Sequence, residues 1–382
     1  MKKLFLIAAS AMMLLASCTK VNVNYPDNGQ PQEIAMFAVN KSATKAPVGN
    51  NSSFPADYEM KVAAYLASGA QDENGFTAGG DYFDGTIFKG SGNLWTGGKY
   101  WPVSTSTINF LAIAMEPSEP SVSPYTGEVS VVFGEKVGEA TNNSNFTKQA
   151  VVTFENNQTT KNNYNQFDLM YAAGQGSHEE GEDYNNVSMT FKHALSWINF
   201  TVATNVSCSL KVNSIRLSKA SYGGTLTISN ANFSSTDDAK VETGAYTVVW
   251  TDPIPANDVY VPGAEDNSNV DIASELNVTT TQQPFGNGLL VVPVDYSTVR
   301  DGSRPTITIN YTMNQGGGNY TFERTIEIPQ IEWVYNKKYT YALTITLNEI
   351  KVSPSVGNWD NQNDIPVETD PEPQQQAPAQ GE

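Results

Sequence analysis

The sequence predicts an all-β protein of antiparallel β-sandwich architecture, and three observations carry that prediction. Stretches in which large apolar residues occupy every second position recur along most of the chain, the period of a strand with one buried face. Segments rich in Gly, Asn, Asp and Ser separate them, as the tight connections of antiparallel sheets require. Charged residues are only 16% of the chain, and no long stretch repeats with the 3.6-residue period of an amphipathic helix.

The first element is not a strand. Met1, Lys2 and Lys3 precede an apolar run from Leu4 to Ala16, too short to span a bilayer and typical of a signal-peptide core. It ends in Leu15-Ala16-Ser17-Cys18. Small residues directly before a cysteine resemble a bacterial lipobox, in which Cys18 is diacylated, residues 1–17 are removed and the new amino group is acylated. The alternative is ordinary cleavage that leaves Cys18 a bystander. No later segment approaches 18 continuous apolar residues, so the lipid on Cys18 is expected to be the only membrane contact.

Residues 18–32 read as a linker, and Ile34 to Val39 as an early strand. Tyr58, Met60, Val62, Ala64 and Leu66 then alternate, as do Ile108, Phe110, Ala112 and Ala114, and Phe167, Leu169 and Tyr171. Stretches 74–85 and 90–98 between them read as turn-rich. The acidic run from Glu179 to Asp183 is a natural boundary, giving one sandwich domain over 33–184 and a second over 185–360. In the second, Leu226 with Ile228, Val248 to Trp250, and Leu289 to Val294 are strand candidates. Ile307, Ile309, Tyr311 and Met313 run into the turn 314–319, and Tyr320, Phe322, Arg324, Ile326 and Ile328 run back, a hairpin with a glycine-rich loop. Tyr339 to Leu347 alternates throughout. Residues 361–382 are acidic, rich in Pro and Gln, and expected to be disordered.

Charge and chemistry then exclude several functions. A net charge of −18 repels nucleic acid and anionic headgroups, so neither is expected as a partner. There are two cysteines. Once Cys18 is acylated, Cys208 has no partner for a disulfide and reads as a small buried apolar residue rather than a nucleophile. The two histidines, His178 and His193, belong to no recognisable catalytic spacing. His178 reads as solvated and His193 as packed and hydrogen-bonded. Asp360 and Asp364 could offer oxygen ligands, but their spacing misses the helix-loop-helix calcium template. No catalytic residue, metal or cofactor is expected, although a hydrolase with two distant carboxylates stays formally open. Trp95, Tyr100, Trp101 and Tyr82 lie near turn-rich stretches and admit two readings: a platform for stacking a glycan, or core packing.

Several separated patches resemble the fimbrillin (Mfa-like) family, the subunits of type V pili and related lipoproteins. They are Cys18 in its lipobox, Ile34 to Val39 followed by Thr44-Lys45-Ala46, and Trp95 ahead of Tyr100-Trp101-Pro102 and the strand from Ile108. Asp168-Leu169-Met170-Tyr171-Ala172, Phe191-Lys192-His193-Ala194-Leu195-Ser196, and Tyr339-Thr340-Tyr341 with Ile350-Lys351-Val352 and Trp359 complete the series. The resemblance implies two transthyretin-like β-sandwich domains in tandem and a non-enzymatic, structural or adhesive role in surface fimbriae. Other fimbrial subunits would be its partners, with a surface receptor or glycan as a further one. It also implies export as an outer-membrane lipoprotein and proteolytic removal of the first strand. Lys45 stands where the family usually has an arginine, so an arginine-specific protease would not cut before Ala46. A lysine-tolerant protease, or no processing, are both open. Ile34, Met36, Phe37 and Val39 mark the candidate removable strand; a permanent first strand is the alternative. A donated strand at the other end would come from 350–359, because the tail lacks alternating apolar positions.

Overall fold

The structure is a computed structural model. It describes residues 32–39, 58–66, 81–91, 94–101, 106–115, 128–135, 148–156, 166–178, 187–230, 247–256, 259–262, 275–359 and 365–366. In chain order the strands are β1 (Glu33–Val39), β2 (Glu59–Leu66), β3 (Asp81–Ser91), β4 (Leu94–Tyr100), β5 (Ser106–Met115), β6 (Glu128–Glu135), β7 (Lys148–Glu155) and β8 (Met170–His178). They continue with β9 (Val187–Thr190), β10 (Lys192–His193), β11 (Ser196–Thr204), β12 (Ser209–Ser218), β13 (Ala220–Asn230), β14 (Thr247–Ala256), β15 (Val259–Tyr260) and β16 (Leu276–Val278). The last are β17 (Gln283–Pro284), β18 (Leu289–Val291), β19 (Thr306–Gln315), β20 (Gly318–Glu327), β21 (Lys337–Ile345), β22 (Ile350–Asn358) and β23 (Ile365–Pro366). All regular structure among the described residues is β, as the alternation predicts.

The strands form four sheets. The largest runs β10-β8-β5-β2-β3-β4-β1-β9, and a four-stranded sheet runs β14-β13-β7-β6. A third runs β17-β11-β21-β22-β23 with β18 also on β11, and a fourth β15-β12-β19-β20 with β16 also on β12. Most pairings are antiparallel, but β1 with β9 and β11 with β21 are parallel.

Period two becomes burial wherever one sheet face meets another. Ile34, Met36, Val62, Phe110, Val152 and Leu226 belong to one buried cluster, drawn from the eight- and four-stranded sheets. Ile198, Val202, Val212, Ile309, Tyr341 and Leu343 belong to a second, between the other two sheets. Pairing crosses the sequence boundary near residue 184. β9 and β10 lie in the eight-stranded sheet, and β13 pairs with β7 from Gly223↔Glu155 to Asn230↔Lys148. The reason is apolar continuity: Leu226 and Ile228 pair with Val152 and Ala150, and all four are buried.

Two stretches read as turns are strands. Residues 81–91 and 94–100 form the hairpin β3-β4. Two of its glycines mark close approach: a Cβ on Gly90 would stand 2.7 Å from Nε1 of Trp95, and one on Gly97 2.7 Å from the Phe88 ring. Likewise Gly174 and Gly176 sit within β8. A Cβ on Gly176 would stand 2.5 Å from the Trp101 ring and 2.9 Å from Val187. The bare backbone there lets β9, at one end of the large sheet, lie over β8 near the other.

Candidate functional site

The candidate site is β1 and the slot that holds it. Although first in sequence, β1 is an inner strand, paired on one side with β4 and on the other with β9. Its register sets Met36 opposite Trp95 of β4 and Val187 of β9, with a bulge between Glu33 and Ala35 on the β4 side. Ile34 and Met36 are fully buried, while Ala35, Phe37 and Ala38 are half-buried. Val39 closes the strand opposite Thr190. The chain enters through the Trp101 amide, which donates to the carbonyl of Gln32 at 2.9 Å. Gly98 donates its amide to the Glu33 carboxylate at 2.7 Å.

Two consequences follow from that placement. Among the described residues β9 has no other strand partner in the sheet order, so loss of β1 strips one edge of β4 and the one ladder that β9 makes among those residues. It also uncovers the cavity that Ile34 and Met36 fill. Unpaired backbone groups beside an apolar cleft are the two elements that an added strand satisfies. Cys18, Lys45 and Ala46 lie outside the described residues.

The aromatic patch divides. Trp95 is 1% exposed, with its indole N–H 3.4 Å from the Tyr58 carbonyl, and Trp101 is 5% exposed, edge-on to Phe110 at 6.1 Å. Only Tyr100 is exposed, at 47%, and its carbonyl accepts from the Tyr82 hydroxyl at 2.6 Å. No pair of open indole faces remains to stack a sugar. Trp95 stands opposite Met36 on the β4 side of the slot, while the Trp101 ring packs beside Gly176.

A second buried constellation gathers patches that lie far apart in sequence. Asp168, just ahead of β8, holds Nδ1 of His193 with both carboxylate oxygens at 3.0 Å. The His193 ring stacks on Trp359 at 4.0 Å with the planes 6° apart, and Trp197 lies 5.6 Å from Trp359. Trp250 donates its indole N–H to the Ala194 carbonyl at 2.8 Å, and the Gln166 side chain bonds both Gly288 and Leu290. His193 is 0% exposed, and the cluster ties the end of β22 to the large sheet. Nearby on β8, burial pushes the Tyr171 hydroxyl far above its usual value, with Tyr335 adding to the shift. The backbone of His178 ends β8, whereas Asp360 and Asp364 fall outside the described residues. Cys208 is half-buried among the residues packed on the second cluster. Sequence spacing alone gives no sign of the His193–Asp168–Trp359 grouping.

An all-β chain of packed sheets, with its first strand inserted between two others, is the class that these observations define. Within that class the chain belongs to the fimbrillin-like family, whose model matches residues 44–359. Among solved structures it is similar to a fimbrial protein from Bacteroides vulgatus, at 16% identity with a TM-score of 0.51, over 86% of this chain and 99% of that one. At that identity the likeness speaks to the fold. A fimbrial assembly protein from Parabacteroides distasonis matches at 8% identity over 88% and 98% of the two chains, with a TM-score of 0.34. The fimbrial anchor protein Mfa2 from Porphyromonas gingivalis matches at 14% over 86% and 98%, with a TM-score of 0.28. Those two scores are too low to bear on the fold. A comparison with curated proteins gives no match.

Proposed function

We propose that this chain is a non-enzymatic subunit of surface fimbriae, built as two tandem sandwiches and assembled by donor-strand exchange at the β1 slot. It is exported as a lipoprotein acylated at Cys18 and held at the outer membrane. Cleavage between Lys45 and Ala46 then releases β1, and a strand from another subunit refills the slot. The observation that carries this reading is the position of β1. It precedes the cut and is an inner strand with two fully buried side chains, so its loss leaves a cleft that strand addition fills.

The energetics agree with exchange rather than simple loss. Burial of Ile34 and Met36 stabilises by about 1.5–3 kcal/mol each, and each backbone hydrogen bond adds roughly 0.5–1.5 kcal/mol. An empty slot forfeits all of these, whereas an incoming strand with alternating apolar residues restores them. Joining of this kind is head to tail and need not close, so it propagates as a filament. Membership of the fimbrillin-like family supports the fimbrial assignment.

The test is polymerisation in vitro. Purified lipoprotein is treated with a lysine-specific protease and followed by electrophoresis without boiling. The proposal expects a ladder of oligomers after cleavage, suppressed by an excess of a peptide spanning residues 33–39. Complete cleavage after Lys45 with no oligomers, or oligomers indifferent to the peptide, would sink it.

A further inference from the structure

β20 is the outer strand of the fourth sheet, and its far edge pairs with no strand among the described residues. The hairpin turn fixes which of its groups face outward. Gly316 and Gly317, at φ +62° and +83°, form a two-residue turn closed by Gln315↔Gly318, the geometry in which the flanking residues exchange both backbone bonds. Alternation along the ladder then turns the backbone groups of Tyr320, Phe322, Arg324 and Ile326 toward β19. Those of Asn319, Thr321, Glu323 and Thr325 face outward. The side-chain pairs Asn314–Asn319, Thr312–Thr321 and Thr308–Thr325, at 2.9, 3.1 and 2.9 Å, agree with this parity, because pairs without mutual backbone bonds bring side chains closer.

The inward face of β20 is left largely uncovered. Tyr320 is 55% and Phe322 37% exposed, although both lie on the face that buries Ile307, Ile309 and Tyr311 of β19. Phe322 stacks on Tyr311 at 5.5 Å. An edge strand with free donors and acceptors beside uncovered aromatics is a template for another strand.

We infer that this edge pairs with the same edge of a second copy, forming an antiparallel two-fold contact centred on Phe322. Outward parity admits only registers in which odd-numbered residues face odd-numbered ones. Centring on Glu323 opposes two glutamates, and centring on Arg324 opposes two arginines; like charges directly opposite are unfavourable. Centring on Phe322 sets Phe322 against its counterpart, Tyr320 against Arg324, Thr321 against Glu323 and Asn319 against Thr325. Apolar contact is joined by a cation over an aromatic ring, and no like charges meet. Centring on Thr321 also avoids like charges but gives a shorter ladder. Glu323 already pairs with Arg216 of β12 at 2.9 Å, which shields it from its counterpart. The surroundings permit approach: β12, β19 and β20 carry Lys211, Arg216 and Arg324 against Glu323 and Glu327, in a chain of net charge −18. Strand exchange joins subunits end to end, whereas this contact joins them side by side and does not depend on cleavage at Lys45.

The experiment uses the full chain with Cys18→Ala and Cys208→Ser, so that any added thiol is the only one. In the two-fold register Phe322→Cys brings two thiols into a pair with Cα atoms about 4.5 Å apart, within disulfide reach. Mild oxidation is expected to give a covalent dimer for Phe322→Cys and none for Arg324→Cys, which faces Tyr320. Sedimentation of the parent chain is expected to show a dimer that is lost in Thr321→Pro, a change that removes an outward N–H and spares the β19 ladder, and in Phe322→Arg. Near-ultraviolet dichroism checks that each variant is folded. A parent chain that stays monomeric, a dimer that survives both variants, or equal cross-linking of Phe322→Cys and Arg324→Cys overturns the inference.

Discussion

Met36→Ala is the substitution whose effect the slot geometry fixes most closely. The side chain is fully buried, opposite Trp95 on one side and Val187 on the other. Truncation of a buried Met, Leu or Ile to Ala costs about 2–5 kcal/mol, and more where the surroundings cannot collapse. Here both neighbours are held in strands that β1 itself bridges, which places the expected loss in the upper half, about 3–5 kcal/mol. Phe37, half-buried on the other face, serves as the control, with an expected cost of about 1 kcal/mol. Urea unfolding of the uncleaved chain measures both, read as a shift in midpoint at unchanged slope. Equal losses for the two variants, or a Met36→Ala loss below about 1 kcal/mol, would show that β1 is a loosely held cover and not part of the core. In protein cut after Lys45 and freed of the strand, the same substitution is expected to have no effect.

Other expectations follow from single contacts. Gly176→Ala drives a methyl group into the Trp101 ring and Val187 and should cost about 1–3 kcal/mol by overpacking, read by thermal unfolding. Trp359→Ala empties the stack on His193 and Trp197 and should cost about 3–5 kcal/mol, with increased proteolysis near residues 191–197. Alkaline pH should unfold the protein progressively. Burial pushes the hydroxyls of Tyr296 and Tyr339 up to about 12 from a usual 10.0. The unfolded chain therefore releases those protons first, and the stability, whole below pH 10, falls as pH rises between the two values. By pH 12 the loss is about 2 kcal/mol for each group, measurable as a falling melting temperature from pH 9 upward.

What the sequence reveals depends on whether its signal is local. The β19-β20 hairpin announces itself through two alternating runs and the glycines between them, and β21 through Tyr339, Tyr341 and Leu343 on one face. β3 and β4 escape notice because Gly85, Gly90, Gly97 and Gly98 imitate a loop. The reason for Gly90, the Trp95 ring beside it, exists only once the chain is folded. Burial of Trp95 and Trp101 is hidden for the same reason, since an aromatic beside glycines reads equally as platform or core. Pairing of β13 with β7 brings together segments from either side of an acidic run, and no period in either segment encodes its partner. In the candidate site, residues 34–39 are apolar at every position, so the sequence marks a strand without showing which side chains are buried, and the place of β1 between β4 and β9 is a property of the topology. Asp168 and His193 each sit in a patch that resembles the family, yet their contact needs β8 and β10 to pair.

The N-terminus of the protein recovered from sheared surface fimbriae, read by mass spectrometry, tests the central claim most directly. The account predicts a chain that begins at Ala46, with β1 absent and the rest intact. A chain that begins only at an acylated Cys18, still carrying Glu33–Val39 within the assembled fimbriae, would contradict strand removal and with it donor-strand exchange at this slot.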